Sequence, residues 1–160
     1  MLEIKTKMLI KASAHEIFEA FVDPEKIGNF WFSSSSERWT DGADVTLTFK
    51  EFKAEVKVHI EKVSSDKKIL LSWGPPTDLR AVTIQIDPEK AESLVTVSEV
   101  GFQEYEDLLS DGNLAPIRSF EYEEILKNLL GGKEGWTFVL TCLKAYLENG
   151  ITTLRTGLIP

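Results

Sequence analysis

Sulfur and imidazole are scarce in this chain of 160 residues, which has one cysteine, Cys142, and two histidines, His15 and His59. A lone cysteine cannot close an internal disulfide, which fits a reducing compartment. No cysteine or histidine pair has zinc-ligand spacing, so no metal centre is expected. Positive charge is also in deficit, with 18 basic against 26 acidic residues, and a net charge of -8 would repel a nucleic-acid backbone or an anionic membrane. No apolar run approaches the roughly 20 residues of a membrane span. The N-terminal Met-Leu-Glu-Ile-Lys-Thr-Lys has no apolar signal-peptide core after its charges. A cytoplasmic protein is expected, with no nucleic-acid partner and no membrane insertion.

Catalytic and cofactor motifs are missing in the same way. Gly131-Gly132-Lys133-Glu134 lacks the glycine spacing and the hydroxyl of a phosphate-binding loop. The acidic residues Glu104, Glu106, Asp107 and Asp111 lack calcium-loop spacing and read as a solvated face. Ser33 to Ser36 offer hydroxyls without a histidine base at a recognisable spacing, and Cys142 sits mid-helix among apolar neighbours, where a thiolate is disfavoured. No catalytic residue and no cofactor is expected, and the chain is read as non-enzymatic.

What is present describes one α+β domain spanning residues 1–160. Leu2, Ile4, Met8 and Ile10 alternate with charged residues, with Thr6 on the apolar side, so the chain opens on a half-buried strand. Ser13 precedes Glu16 by three residues in a capping-box pattern, and Ile17, Phe18, Phe21 and Val22 follow at helical spacing. Asp23-Pro24 opens a second short helix that ends near Gly28. After a loop at Ser33 to Ser36, inward candidates recur with period two: Val45, Leu47 and Phe49; Val56, Val58 and Ile60; Ile69, Leu71 and Trp73; Val82, Ile84 and Ile86. Short connections make these strands antiparallel neighbours. Ser93 to Val100 completes a curved sheet of about six strands.

Residues 103–134 read as a helical insertion with a turn at Ser110 to Asn113 and an amphipathic stretch of Phe120, Ile125, Leu126, Leu129 and Leu130, ending at Gly131-Gly132. From Gly135 a strong helical stripe of Trp136, Leu140, Leu143 and Leu147 closes at Asn149-Gly150. Glu99 is ambiguous. Alternation from Val95 and Val97 carries it inward, where a carboxylate would suit acid–base work or a ligand hydroxyl. If Leu94 and Val100 face inward instead, Glu99 meets solvent, and that placement is slightly favoured.

Ala12 through Lys26, with Phe30-Trp31-Phe32, resembles the N-terminal signature of the activator of heat-shock-protein-90 ATPase homologue family, within the START/SRPBCC superfamily. Gly135-Trp136 and the helix that follows resemble that family's C-terminal helix. The resemblance implies a helix-grip fold, with two short helices after the first strand and the sheet wrapped around the last helix. It also implies a cavity between sheet and helix that holds apolar or aromatic molecules. The residues suited to line it are Trp31, Trp39, Phe49, Val58, Trp73, Val82, Trp136, Leu140 and Leu143, with Glu99 added for the inward case. Tryptophans in a domain of this size are more often core filler than ligand contacts.

The expected function is a binding module for a lipid-like, polyketide-like or planar aromatic molecule, with the insertion as a candidate lid. Leu140→Trp is then expected to fill the cavity and abolish binding. The alternatives are a co-chaperone that stimulates heat-shock protein 90, and a polyketide cyclase- or hydrolase-like enzyme that needs a carboxylate inside the cavity.

Overall fold

The computed structural model of the protein describes residues 1–110 and 119–159. Its elements run β1 (Ile4–Ile10), α1 (Ala14–Val22), a 3-10 turn (Ile27–Asn29), β2 (Ser34–Ser35), β3 (Asp44–Phe49), a second 3-10 turn (Lys50–Phe52), β4 (Ala54–Ser64), β5 (Lys68–Trp73), β6 (Arg80–Glu89), β7 (Glu92–Val100), α2 (Gln103–Ser110) and α3 (Ser119–Asn149). The strands form one curved antiparallel sheet in the order β1-β7-β6-β5-β4-β3-β2, with the long helix packed on it in a helix-grip fold.

Alternation sets which side of each strand is buried. Val45 and Leu47, Val58 and Ile60, Ile69 and Leu71, and Val82, Ile84 and Ile86 all face the core. At the sheet edge, α3 covers β1: Lys144 Nζ donates to the Leu9 carbonyl at 2.7 Å and Lys133 Nζ to that of Lys5. These contacts occupy an edge that would otherwise be free to pair with another chain.

Three local readings change. The chain at Ser33 to Ser36 contains a two-residue strand, Ser34 and Ser35 opposite Thr48 and Leu47, so the sheet has seven strands among the described residues. The helix expected from Asp23 is a cap, with Glu25 N donating to Asp23 Oδ1 at 2.9 Å, followed by only one 3-10 turn. The stop expected at Gly131-Gly132 is absent, and α3 runs unbroken through both glycines and Gly135. Glycine costs a helix only about 1 kcal/mol relative to alanine, which the contacts along such a helix can override. The turn read at Ser110 to Asn113 lies, apart from Ser110, outside the described residues, as does the side chain of Phe120.

On the outer face, Asp44 of β3 stands opposite His59 of β4, and His59 Nδ1 lies 2.7 Å from Asp44 Oδ1. The hydrogen bond to Asp44 raises the His59 pKa above the usual histidine value, and the Asp44 and Glu61 charges add to it. Stability from this pair is therefore full below the ordinary histidine pKa and is lost as pH rises through the raised value. An NMR pH titration is expected to place the His59 midpoint above about 6.5, and Asp44→Asn to bring it back down.

Candidate ligand cavities beside the long helix

Among the described residues, two cavities with largely apolar walls lie beside α3. The larger, of about 1020 Å³, lies between α3, the Phe30-Trp31 segment, the β3–β4 hairpin tip and the C-terminal segment after the helix. Phe30, Trp31, Phe49 and Phe52 form one side; Leu126, Leu130, Phe138 and Val139 of α3 form another; Leu158 and Ile159 close a third. The exposed Glu123, Lys127 and Glu134 stand at its rim. A space of this size and apolar make-up sits at the upper end for small-molecule sites.

One residue holds the C-terminal segment in place. Arg155, whose side chain is only 8% exposed, donates from Nη1 to Glu51 Oε1 at 2.9 Å and from Nη2 to Ser33 Oγ at 2.8 Å. Its guanidinium carbon sits 5.0 Å from the centre of the Phe49 ring. The Ser33 hydroxyl donates to Glu51 Oε2 at 2.7 Å and accepts from the Lys50 N–H at 2.9 Å. This Ser33 bond, then the residue's own backbone N–H and the Arg155 charge, hold the Glu51 carboxyl below the usual carboxylate range. The brace is thus complete above the ordinary carboxylate pKa and loosens only as pH falls through the lowered value.

The smaller cavity, of about 530 Å³, opens between β5, β6, β7, α2 and α3. Glu99 lies in its wall and is only 8% exposed, so the outward placement slightly favoured by the sequence is overturned. Val95, Val97 and Glu99 share the buried face of β7 in unbroken alternation. Glu99 Oε1 accepts the Trp73 indole N–H at 3.0 Å and Oε2 accepts that of Trp136 at 2.7 Å. The two indoles stack with centres 5.5 Å apart, and Trp31 lies 5.1 Å from Trp136 and 6.1 Å from Trp73. Across the cavity, Arg80 is gripped by Asp78 through two 3.0 Å bonds and lies 4.0 Å from the Phe102 ring centre. Asn128 of α3 donates to the Tyr105 hydroxyl of α2, 2.6 Å away, so the two helices frame this cavity together.

The residues proposed from the sequence therefore divide. Trp31 and Phe49 line the larger cavity, and Trp73 and Glu99 line the smaller. Trp136 lines neither but touches Trp31 and Trp73 and is bonded to Glu99. Trp39, Val58, Val82, Leu140 and Leu143 are buried in the continuous core and line neither cavity. A tryptophan at Leu140 would overpack that core, at about 1–3 kcal/mol, instead of plugging a cavity. Phe52, Phe138, Arg155 and Leu158 were not singled out by the sequence. The signal available was for the helix wall alone: Gly131 and Gly135, four apart on one face of an otherwise amphipathic helix, both border the larger cavity.

Other reactive groups stay apart from both cavities. Cys142 is buried in α3, where desolvation pushes its thiol pKa up. His15 is exposed, with Nδ1 2.9 Å from Asp66 Oδ1. Among the described residues no group of three or more His, Cys, Asp or Glu side chains is arranged to hold a metal, and no helix is long and apolar enough to cross a membrane.

The family described as activator of Hsp90 ATPase homolog 1-like protein matches residues 11–148, from the end of β1 to the end of α3. The chain belongs to this family. Protein SSP2350 from Staphylococcus saprophyticus is 41% identical, with a TM-score of 0.75 over 94% of this chain and 95% of that one. Two more distant structures share the fold of this family member. The Aha1 dimer from Colwellia psychrerythraea is 16% identical, with a TM-score of 0.71 over 94% of this chain and 98% of that one. DynU16, a protein of the dynemicin biosynthetic locus, is 18% identical, with a TM-score of 0.72 over 96% of this chain and 49% of that one. None of the curated protein sequences matches the chain.

Proposed function

We propose that the protein is a non-enzymatic binding module that holds a small hydrophobic molecule in the larger cavity. The observation that carries this reading is the pair Gly131 and Gly135. Each costs α3 about 1 kcal/mol relative to alanine, yet a Cβ at either would meet no atom within 4 Å. Packing does not require them. Gly132 between them is different, because a Cβ there would fall 2.5 Å from Ile4 Cδ1. What Gly131 and Gly135 do is keep the helix wall of the cavity bare, and a local rule broken without a packing reason is characteristic of functional sites.

Gly135→Ala is expected to stabilise the protein by about 0.5–1 kcal/mol in urea denaturation. Gly135→Leu is expected to keep the fold and reduce binding of palmitate at least tenfold. Binding that is saturable in the wild type and unchanged in Gly135→Leu would sink the reading.

The family's description favours a second reading, docking on a heat-shock-protein-90-type chaperone, and one feature of the surface supports it. Leu126, Leu130 and Ile159, which border the larger cavity, are 54%, 66% and 75% exposed, and exposed apolar patches often mark partner surfaces. Stimulation of purified heat-shock protein 90 ATPase by the wild type, with loss on Leu130→Glu, would favour it. The cyclase-like alternative needs a carboxylate in a cavity, and Glu99 supplies one. Each of its oxygens already holds an indole N–H, which fits a fixed acceptor.

A further inference from the structure

The smaller cavity has a recognition group that the larger one does not use. An ionised carboxylate offers about four lone-pair sites, and Glu99 spends two of them on the indoles of Trp73 and Trp136. The remaining acceptor capacity belongs to a side chain that lines the cavity. Both indole donors fix the carboxylate, so it would accept a further hydrogen bond without reorganising. The walls around it are aromatic, with Phe32, Trp73, Phe102 and Tyr105 all bordering the space.

Charge selects what can enter. Asp78 offsets the charge of Arg80, which lines the same cavity, and a cation would have to give up its hydration at the aromatic walls. An anion would meet Glu99 and Asp78. A neutral molecule with a hydrogen-bond donor meets no such opposition, and a flat ring suits the aromatic walls. A volume of about 530 Å³ accommodates two or three fused rings.

We infer that the smaller cavity is a second binding site, for a neutral planar aromatic compound whose hydroxyl donates to Glu99 and whose ring packs against Trp73, Phe102 and Tyr105. A phenolic hydroxyl, with a pKa near 10, stays protonated at neutral pH and keeps the donor the site requires. The same ring as a methyl ether loses the donor and leaves the carboxylate under an apolar group, which a site built for a hydroxyl rejects. The two sites are distinguished by Gly135, which lines only the larger cavity, and Glu99, which lines only the smaller, while Asn128 borders both.

The test uses the full chain, with isotope-labelled tryptophan, titrated with 2-naphthol and with 2-methoxynaphthalene while the indole N–H resonances of Trp73 and Trp136 are followed. The expected result is that 2-naphthol binds at least tenfold tighter than its methyl ether and shifts both resonances. The preference is expected to survive in Gly135→Leu and to disappear in Glu99→Gln. Equal affinity for the two compounds in the wild type overturns the inference whether or not Glu99→Gln folds. So does 2-naphthol binding that Gly135→Leu abolishes, since that places the ligand in the larger cavity.

Discussion

Trp136→Ala is expected to destabilise the protein by about 3–5 kcal/mol, the range for removing a large aromatic side chain from a core. The indole is 4% exposed and lies between α3 and the sheet, against Trp31 and Trp73. Its loss opens a void and also strips Glu99 Oε2 of its donor at 2.7 Å. Trp136→Phe separates the two effects in part, because it keeps one aromatic ring in place while removing the N–H and the rest of the indole. A hydrogen bond to a charged group is worth about 1.5–3 kcal/mol, so the phenylalanine variant should lose at least that much but less than the alanine variant. Urea denaturation of both variants measures the difference. A loss below about 1 kcal/mol for Trp136→Ala, within the range of ordinary substitutions, would mean that the helix is held to the sheet elsewhere.

Gly101→Ala is expected to have the next largest effect, and to act on the smaller cavity. Gly101 joins β7, which carries Glu99, to Phe102 and α2, and its φ of +107° is a conformation that other residues rarely adopt. A Cβ there would lie 2.5 Å from the Leu79 carbonyl oxygen and 3.2 Å from Arg80 Cα, both backbone atoms that cannot turn aside. The backbone conformation alone costs about 1–3 kcal/mol, and relieving the clash must displace Leu79 or Phe102. Gly150→Ala is the matched control. Gly150 caps α3, its N–H donating to the Tyr146 carbonyl at 2.8 Å, and its φ of +67° is left-handed, yet a Cβ would meet nothing within 4 Å. It should lose only about 1–2 kcal/mol. Equal losses at the two glycines would show that the approach of β6 to Gly101 is not a constraint.

The strands, the capped first helix and the last helix were legible because each rests on a local rule: alternation, a hydroxyl three residues before a glutamate, and an apolar stripe. Glu99 was not legible, for a physical reason. β7 carries apolar side chains on both faces, and the outward Leu94 stands opposite the partly exposed Leu9 of β1. Alternation is unreadable where the solvent side is also apolar. The glycines of α3 misled for a related reason, since a helix-breaking residue is read as a stop unless something beyond the helix explains it. Arg155 was invisible because its partner Glu51 lies 104 residues away.

By itself the sequence determined the fold class, the order of the elements and the family signature, since burial patterns and caps are written into neighbouring residues. Tertiary structure decided where the empty space lies. Leu140, Leu143 and Val82, which a sequence places under the helix, meet one another and fill the core. The larger cavity lies beside α3, where the bare face at Gly131 and Gly135 and the folded-back C-terminal segment leave a gap. A cavity is a property of surfaces that fail to meet, and that is settled only when segments far apart in the chain come together.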